Sequence, residues 1–230
     1  MTNSEEPAPG RALGIVAHPD DLEFAAGGTV AGWVSRGWAV SLCVVTDGQR
    51  GTTGAPSADR RAEQEAAAEA LGVNDVHFLG GMDAEVEPSL ALRATLAAQL
   101  RQVRPHRVVT HSPRYAWSFP PANHPDHRAV GAATLDAVYP VARIAPAPGD
   151  GEYAPWAVRE VWLFGDPEAN HFEDVTAHLP MKLAALRCHC SQHADGPDEL
   201  MLRNRMAAAA RSAGLTSGRL AERFQVLEYP

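Results

Sequence analysis

The 230-residue chain lacks the features of several protein classes. Its 20 Lys and Arg residues are outnumbered by 28 Asp and Glu, giving a net charge of -8. A general binder of nucleic acid or of anionic membranes, which needs a clustered positive face, is therefore not expected. The sequence contains no run of about 18 apolar residues, the length that a helix needs to cross a bilayer. The first ten residues, MTNSEEPAPG, are acidic and Pro-rich where a signal peptide is basic and then apolar. We expect a cytoplasmic protein with a small-molecule partner.

Cysteine is also scarce, with only Cys43, Cys188 and Cys190. Three cysteines cannot all pair, so we expect reduced thiols. The segment Cys188-His189-Cys190 invites a metal interpretation, but two thiolates one residue apart, without a second Cys cluster, make a poor structural zinc site. Buried or half-buried thiols are the favoured interpretation.

A hydrophobic content of 45% is enough for one sizeable core, which favours a single domain over residues 1–230 with residues 1–11 as a disordered tail. Short β-branched runs alternate with longer Ala/Leu/Glu-rich stretches. The predicted strands are Leu13–Ala17, Val40–Val45, Val76–Leu79, Val108–Thr110 and Val158–Phe164. The predicted helices are Thr29–Arg36, Arg60–Leu71, Ser89–Val103, His127–Val138, Lys182–Arg187 and Asp198–Ser212. This alternation indicates an α/β, Rossmann-like fold with a mostly parallel sheet flanked by helices.

The first predicted strand runs directly into the sequence AHPDDLE, which contains His18, Asp20 and Asp21. In an open parallel sheet, ligands gather where strands end and loops begin. Three side chains capable of metal binding or acid–base chemistry within four residues favour a site. The alternative is an acidic helix N-terminus that caps free N–H groups.

A second cluster, Asn123-His124-Pro125-Asp126-His127, follows the strand that ends near His111. With Pro125 near the first helical position, His124 and His127 can face the same side. Two imidazoles and a carboxylate that leave a coordination position open are typical of a catalytic zinc site, whereas closed structural sites are cysteine-rich.

Together these motifs resemble the LmbE-like, or PIG-L, family of metal-dependent de-N-acetylases, whose members carry A-H-P-D-D-x-E early and H-P-D-H near the middle. The segments Thr46–Gly51, Arg60 with Glu63, Leu71–Val73 and Lys182–Gln192 are also similar to family patterns. The resemblance implies a Rossmann-like fold, one Zn²⁺ (with another divalent metal such as Fe²⁺ as an alternative) and deacetylation of an N-acetylated amino sugar or conjugate. Family members often form oligomers, so a homo-oligomer is one expectation.

Residue by residue, the resemblance implies His18, Asp21 and His127 as metal ligands and Asp20 as general base. The chemistry supports this division, since amide cleavage needs a base beside the metal to manage protons. The alternative for Asp20 is a helix cap.

Three further residues of the motifs have predicted roles. His124 would stabilise the oxyanion or protonate the leaving amine, with a fourth metal ligand or packing as the alternatives. Asp126 would orient an imidazole through its second nitrogen. Glu23 would support the site similarly or act only as a first-turn carboxylate.

Arg60 and Asp47 are the predicted substrate-binding residues. Arg60 matches a position where family members bind the polar head of the substrate, although a surface helix arginine is an equal alternative. Asp47 would contact sugar hydroxyls or begin a turn. His111 and Asp174 are candidates to lie near the site, with structural hydrogen bonding as the default.

Two positions depart from the family pattern. Gln49 stands where relatives usually have glutamate, and Ala122 stands where some relatives have tyrosine. The predicted loop Ser112–Asn123, with Tyr115, Trp117 and Phe119, would supply a stacking wall or simply pack. A second predicted loop covers Ala145–Pro155.

The leading functional hypothesis is N-deacetylation of an amino-sugar-type substrate. An alternative keeps the metal site but cleaves a larger amide, such as a thiol conjugate or an acylated natural product. From a different class, the turn Gly27-Gly28-Thr29 could cradle a phosphate in a non-catalytic nucleotide-binding module. The missing Gly-x-Gly-x-x-Gly pattern counts against that interpretation, and close packing is the favoured role of the glycines.

Overall fold

A computed structural model describes residues 9–51, 57–73, 75–117, 123–146 and 153–230. The strands, numbered in chain order, are β1 (Arg11–Val16), β2 (Ala39–Thr46), β3 (Asp75–Gly81), β4 (Arg107–His111), β5 (Glu160–Phe164), β6 (His171–Asp174) and β7 (Ala221–Glu228). The helices are α1 (Asp21–Ser35), α2 (Ser57–Leu71), α3 (Leu90–Val103), α4 (Pro125–Val138), α5 (Leu179–Cys188) and α6 (Glu199–Ser212). Short 3₁₀ turns lie at Val141–Arg143 and Thr176–His178.

The strands form a mixed sheet of order β3-β2-β1-β4-β5-β7-β6. The first five of these strands pair in parallel, and β7 and β6 extend the edge in antiparallel pairing. The predicted mostly parallel α/β fold is confirmed.

Side-chain alternation along β1 supplies both halves of the core. Ala12 and Val16 pack on one face with residues of α1, α2 and α5, while Leu13 and Ile15 pack on the other face with residues of α3 and α4. Because strand side chains alternate in direction, a strand buried on both faces is apolar along its buried length, as β1 is from Ala12 to Val16.

The prediction for the first helix is wrong at its start. We expected it at Thr29, but α1 begins at Asp21, and Gly27 and Gly28 lie inside it. A Cβ at Gly28 would lie 2.6 Å from Val175, and one at Gly27 would lie 3.2 Å from Lys182. The glycines therefore permit close packing rather than ending a loop, and the phosphate-cradling turn of the nucleotide-binding hypothesis does not exist.

The other helix predictions hold within a few residues, but β6 and β7 were missed. The described parts of both predicted loops, including 112–117 and 153–155, contain neither helix nor strand. Residues 1–8 of the predicted disordered tail lie outside the described residues, and its last residue, Arg11, already belongs to β1. Where the chain is described, no helix has the length and apolar character needed to cross a membrane.

Candidate metal centre and active site

The two predicted motifs meet at the point where the chain reverses its direction of travel across the sheet. After β1 the chain goes to β2 and β3 on one side, whereas β4 lies on the other side of β1 and leads to β5. Such a switch point opens a crevice at the carboxyl ends of the two central strands. His18 and Asp21 follow β1, and His124 and His127 follow β4 at the start of α4.

The three predicted metal ligands have mutually close donor atoms. Nδ1 of His18 lies 3.2 Å from Nε2 of His127 and 3.4 Å from Oδ2 of Asp21. Nε2 of His127 lies 3.2 Å from Oδ1 of Asp21. Donor atoms bound to a tetrahedral zinc at about 2.0–2.1 Å are separated by roughly 3.3 Å. The spacing of each pair therefore fits a metal ion, with Oδ2 of Asp21 facing His18 and Oδ1 facing His127.

Electrostatics around His18 also favour a cation. Burial disfavours charge on this imidazole, but Asp21, Asp83 and Asp126 outweigh burial and raise its pKa to about 9. The same carboxylates that stabilise a protonated imidazole would stabilise a metal ion. The described residues contain three overlapping groups able to bind a metal: His18, His124 and His127; Asp21, His111 and His127; and His18, Asp83 and Asp126. The three predicted ligands are distributed among these overlapping groups.

Asp126 contacts His18 at Nε2, whereas Nδ1 of His18 faces Asp21 and His127. The Asp126 carboxylate is fully buried, and its Oδ2 is 3.1 Å from Nε2 of His18. Its oxygens also accept hydrogen bonds from the backbone N–H groups of Ala84 (2.7 Å) and Val86 (3.3 Å). Asp126 therefore contacts the histidine of the other motif, from the side away from His127. Its geometry is that of a positioning residue that fixes an imidazole.

Asp83 is a site residue that the sequence analysis missed. Its Oδ1 lies 3.1 Å from Nε2 of His18. The available signal was its place just after β3, where an acidic residue reaches the same edge of the sheet as the two motifs.

Asp20 is held in the left-handed region, with φ of 90°, and its side chain makes no helix-capping hydrogen bond. The helix-cap interpretation is therefore wrong. Oδ2 of Asp20 lies 3.5 Å from Nη2 of Arg60 and 3.9 Å from Nε2 of His193. Burial and the neighbouring charge of Asp21 raise the pKa of Asp20 to about 7, against the opposing charges of His189 and Arg60.

Glu23 and Gln64 fix the backbone at Asp20. Gln64 accepts a hydrogen bond from the Asp20 N–H (3.0 Å) and donates one to Oε1 of Glu23 (2.8 Å). The other Glu23 oxygen lies 3.5 Å from Nε2 of His189, and both side chains are fully buried. Glu23 is thus a buried support for the Asp20 turn rather than a simple first-turn carboxylate.

His124 and His111 flank His127. Nδ1 of His124 accepts the Asp126 N–H (3.2 Å), which leaves the proton of a neutral imidazole on Nε2. The His111 ring stacks on His127 with centroids 4.1 Å apart, and its Nε2 is 3.2 Å from Oδ2 of Asp21. Burial lowers the pKa of His111 to about 4, so this ring is neutral at pH 7.

Arg60 is buried, so the surface-arginine alternative is wrong. Its guanidinium donates to the carbonyl oxygens of Gly48 and Pro19, both at 2.8 Å. A Cβ at Gly48 would lie 1.9 Å from Nη1 of Arg60, so only glycine allows this approach. Through these two hydrogen bonds, Arg60 connects the β2–α2 loop to the turn that contains Asp20.

Asp47 and Asp174 have partners within the protein. Both Asp47 oxygens accept from Arg61, each at 2.9 Å. Asp174 accepts from Thr176 and pairs with Arg219 (3.2 Å), with no contact to a site residue among those described. Substrate binding by Asp47 remains a prediction that would require it to share or release Arg61.

The family model for the PIG-L, or GlcNAc-PI de-N-acetylase, family matches residues 13–138, a span that contains both motifs. The chain belongs to the PIG-L family. The PIG-L relatives include the 1D-myo-inositol 2-acetamido-2-deoxy-alpha-D-glucopyranoside deacetylase of Mycolicibacterium smegmatis. It is 30% identical over 255 residues, covering 86% of this chain and 84% of the relative.

Solved structures show the same PIG-L fold. The N,N'-diacetylchitobiose deacetylase from Pyrococcus horikoshii matches with a TM-score of 0.82 and 28% identity, covering 95% of this chain and 84% of that one. The 4-carboxy-2-hydroxymuconate hydratase GalB from Pseudomonas putida matches with a TM-score of 0.72 and 26% identity, covering 96% of each chain. The named relatives are enzymes, and both deacetylases are amide hydrolases.

Gln49, one of the two departures from the PIG-L pattern, has a structural role. Its Nε2 donates to the Gly81 carbonyl (3.1 Å), and its Oε1 accepts the Asp83 N–H (3.0 Å). A glutamate could only accept, so the amide suits this pair of contacts. Ala122, the other departure, and Phe119 lie outside the described residues.

The three cysteines are free, as expected; Cys43 is buried and Cys188 half-buried, but Cys190 is exposed rather than buried or half-buried. Two residues beyond the end of α5, the Sγ of Cys190 lies 3.0 Å from Oε1 of Glu63, and the Ser191 hydroxyl donates to the same carboxylate. This contact joins two of the PIG-L segments, Arg60 with Glu63 and Lys182–Gln192.

A pocket opens onto the metal-binding group. It is lined by Asp21, Phe24, Ala25, His111, Ser112, Arg114, Asn123, His127, Arg128, Phe164, Gly165 and Arg205. Neither Arg60 nor Asp47 lines it, and nor does Trp117, which is 82% exposed. The described part of the aromatic loop instead packs Tyr115 against Trp117, with ring centroids 4.4 Å apart.

Proposed function

We propose that this protein is a zinc-dependent hydrolase that removes an acetyl group, or another acyl group, from the amine nitrogen of an amino-sugar-type substrate. The observation that carries the proposal is the spacing of His18, Asp21 and His127, with paired donors 3.2–3.4 Å apart. A second carboxylate, Asp20, precedes Asp21 in the chain. Family membership and the deacetylase relatives support the same reaction.

His18, Asp21 and His127 would hold the ion. When bound, zinc supplies Lewis acidity that polarises an amide carbonyl and acidifies water. Asp21 is ready to act as an ionised ligand, because His127 and His111 hold its pKa well below the usual range despite burial. Its Oδ2 also accepts the His18 backbone N–H at 2.7 Å, which fixes the carboxylate.

Asp20 would act as the general base. Its carboxylate takes a proton from the attacking water as oxygen bonds to the carbonyl carbon, then returns it to the nitrogen as the C–N bond breaks. The products are a carboxylic acid and a free amine. A base must be separate from the metal ligands, and Asp20 is a candidate because it precedes Asp21 in the chain while its carboxylate lies 3.5 Å from Arg60.

His124 would stabilise the carbonyl oxygen as it becomes negative. Its Nδ1 is occupied by the Asp126 N–H, so Nε2 is the nitrogen that can donate. This arrangement favours the oxyanion role over a fourth metal ligand, since a ligand would need an unprotonated Nε2.

The test is an assay of amine and acetate release from N-acetylglucosamine, diacetylchitobiose and larger N-acyl conjugates by zinc-loaded protein. We expect equal amounts of amine and acetate from at least one sugar substrate. Activity confined to larger amides would show that the substrate is a larger N-acyl compound and not an amino sugar. No amine release from any compound, by protein that holds stoichiometric metal, would overturn the hydrolase assignment and direct attention to hydration chemistry like that of GalB.

A further inference from the structure

The pocket beside the metal-binding group is rich in arginine, although the whole chain carries a net charge of -8. Arg114, Arg128 and Arg205 all line it. They come from three separate parts of the chain: the loop after β4, the first turns of α4, and α6. Because the protein as a whole is acidic, we asked which carboxylates neutralise these three guanidinium groups.

Arg114 is balanced within the protein. Its guanidinium lies 2.8 Å from an oxygen of Glu168 and 3.5 Å from Oδ1 of Asp166. Ordinary structural pairing therefore explains this arginine.

Arg128 and Arg205 differ from Arg114. In the part of the chain that the structure describes, neither forms an ion pair with a carboxylate. The Arg128 guanidinium lies over the Tyr115 ring, 5.3 Å from its centroid, and its buried Nε has no hydrogen-bond acceptor among the described residues. Arg203, only two residues from Arg205 on α6, pairs with Glu199 at 2.8 Å and does not line the pocket.

A guanidinium group presents a planar set of donors that matches a carboxylate or a phosphate. Two such groups without carboxylate partners, at the wall of a pocket that also contains Asp21 and His127, are placed to bind an anionic part of a molecule whose amide lies at the metal-binding group. We propose that the substrate is an anionic N-acyl amine, whose carboxylate or phosphate is bound by Arg205 and Arg128. This inference rests on the hydrolase function proposed above.

The test compares substrates that differ in charge but little in shape. The carboxymethyl glycoside of N-acetylglucosamine is set against its methyl ester, and N-acetylglucosamine 1-phosphate tests the phosphate alternative. We expect kcat/KM to be about tenfold or more higher for an anionic compound than for the ester, the gain expected of one charge-assisted hydrogen bond. The preference should shrink as ionic strength rises, because salt screens exposed charges.

Arg205→Gln is the informative variant, because Arg205 lies outside the proposed ligand set and general base. It should lower kcat/KM for the preferred anionic substrate about tenfold, mainly through KM, and leave the methyl ester unchanged. Arg203→Gln, on the same helix and with the same loss of charge, should leave both substrates unchanged. Arg205→Glu should lower kcat/KM for the anion further and spare the ester.

The outcomes separate this inference from the proposed function. Amine release from the ester at the same kcat/KM as from both anions would overturn the anionic preference and leave the deacetylase assignment standing. Equal effects of Arg205→Gln and Arg203→Gln would remove Arg205 from substrate binding. Absence of amine release from every compound would overturn the proposed function itself.

Discussion

Asp20 and Asp21 are adjacent in sequence, yet their carboxylates have different neighbours. Asp21 lies among His18, His111 and His127, whereas Asp20 lies near Arg60 and His193. Ligation and proton transfer would therefore reside on separate side chains. We predict that Asp20→Asn keeps its metal but loses about 10²–10⁴-fold in kcat, the usual contribution of a general base.

The measurement for Asp20→Asn pairs kcat with metal content from elemental analysis. Asp136→Asn, the same chemical change at an exposed position of α4, serves as the control and should match wild type in both. Loss of zinc from Asp20→Asn would show that Asp20 belongs to the ligand set and that the division between the two carboxylates is wrong.

Asp126 would influence the proposed metal ion through a ligand, since its Oδ2 contacts Nε2 of His18. Asp126→Asn keeps one oxygen for the loop amides but removes the carboxylate charge beside the imidazole. We predict that metal affinity falls about 10–100-fold, as is usual when a partner that orients a ligand is lost. Competition against a chelator would measure it. Unchanged affinity, in protein that folds as wild type does, would leave Asp126 with a role only in holding Ala84 and Val86.

At the scale of elements, the first half of α1 is held in place by a buried ion pair. Glu222 on β7 accepts from the backbone N–H groups of Gly28 (3.1 Å) and Thr29 (2.8 Å), and it pairs with Nζ of Lys182 at 2.6 Å. Lys182 in turn donates to the Phe24 carbonyl (2.7 Å), so α5 and β7 both hold the segment that follows Asp21.

Glu222→Gln should destabilise the fold by about 3–5 kcal/mol, because it leaves the Lys182 charge buried without a carboxylate. Urea unfolding would measure the change. Glu228→Gln, at an exposed position of the same strand, should have almost no effect. Equal midpoints for the two variants would show that the buried pair contributes nothing to stability.

These elements also show what local sequence can and cannot predict. Strand-helix alternation predicted β1 to β5, because apolar runs bounded by turns carry the signal within a few residues. It placed the start of α1 eight residues late, because two glycines usually mark a loop. What keeps Gly27 and Gly28 helical is contact with Lys182 and Val175, more than 140 residues away, and local sequence does not carry that information.

The site shows the same limit. The spacing of His18, Asp21 and His127 within two compact motifs was enough to predict that they converge. Asp83 and Gln64 escaped notice because each stands alone in sequence and gains its place only from tertiary packing. The contact of His189 with Glu23 was likewise not predicted. Arg60 was recognised by its motif position, but its burial, which follows from the close approach to Gly48, was not predicted.

For the whole molecule, metal binding and folding stability should be linked through His18. In metal-free protein its pKa of about 9 lies above the ordinary value of 6.5, so the folded state holds the proton more tightly than the unfolded state. The resulting stabilisation is complete below pH 6.5 and disappears as pH rises through 9. At about 1.4 kcal/mol per pKa unit, its size is on the order of 3 kcal/mol. A bound metal would replace that proton and remove this dependence.

We therefore predict that the difference in Tm between zinc-loaded and chelator-treated protein widens from pH 6.5 to pH 9. Metal affinity should rise over the same range, because the ion no longer competes with the His18 proton. Thermal unfolding at constant free zinc would measure the first effect, and calorimetry in buffers of different ionisation enthalpy would count the released proton. His77→Gln, which removes an imidazole from β3 outside the site, should keep the widening, whereas His18→Gln should abolish it. A difference in Tm that stays constant with pH in wild type would mean that the carboxylates around His18 do not hold its proton, and the electrostatic case for a cation at this site would fail with it.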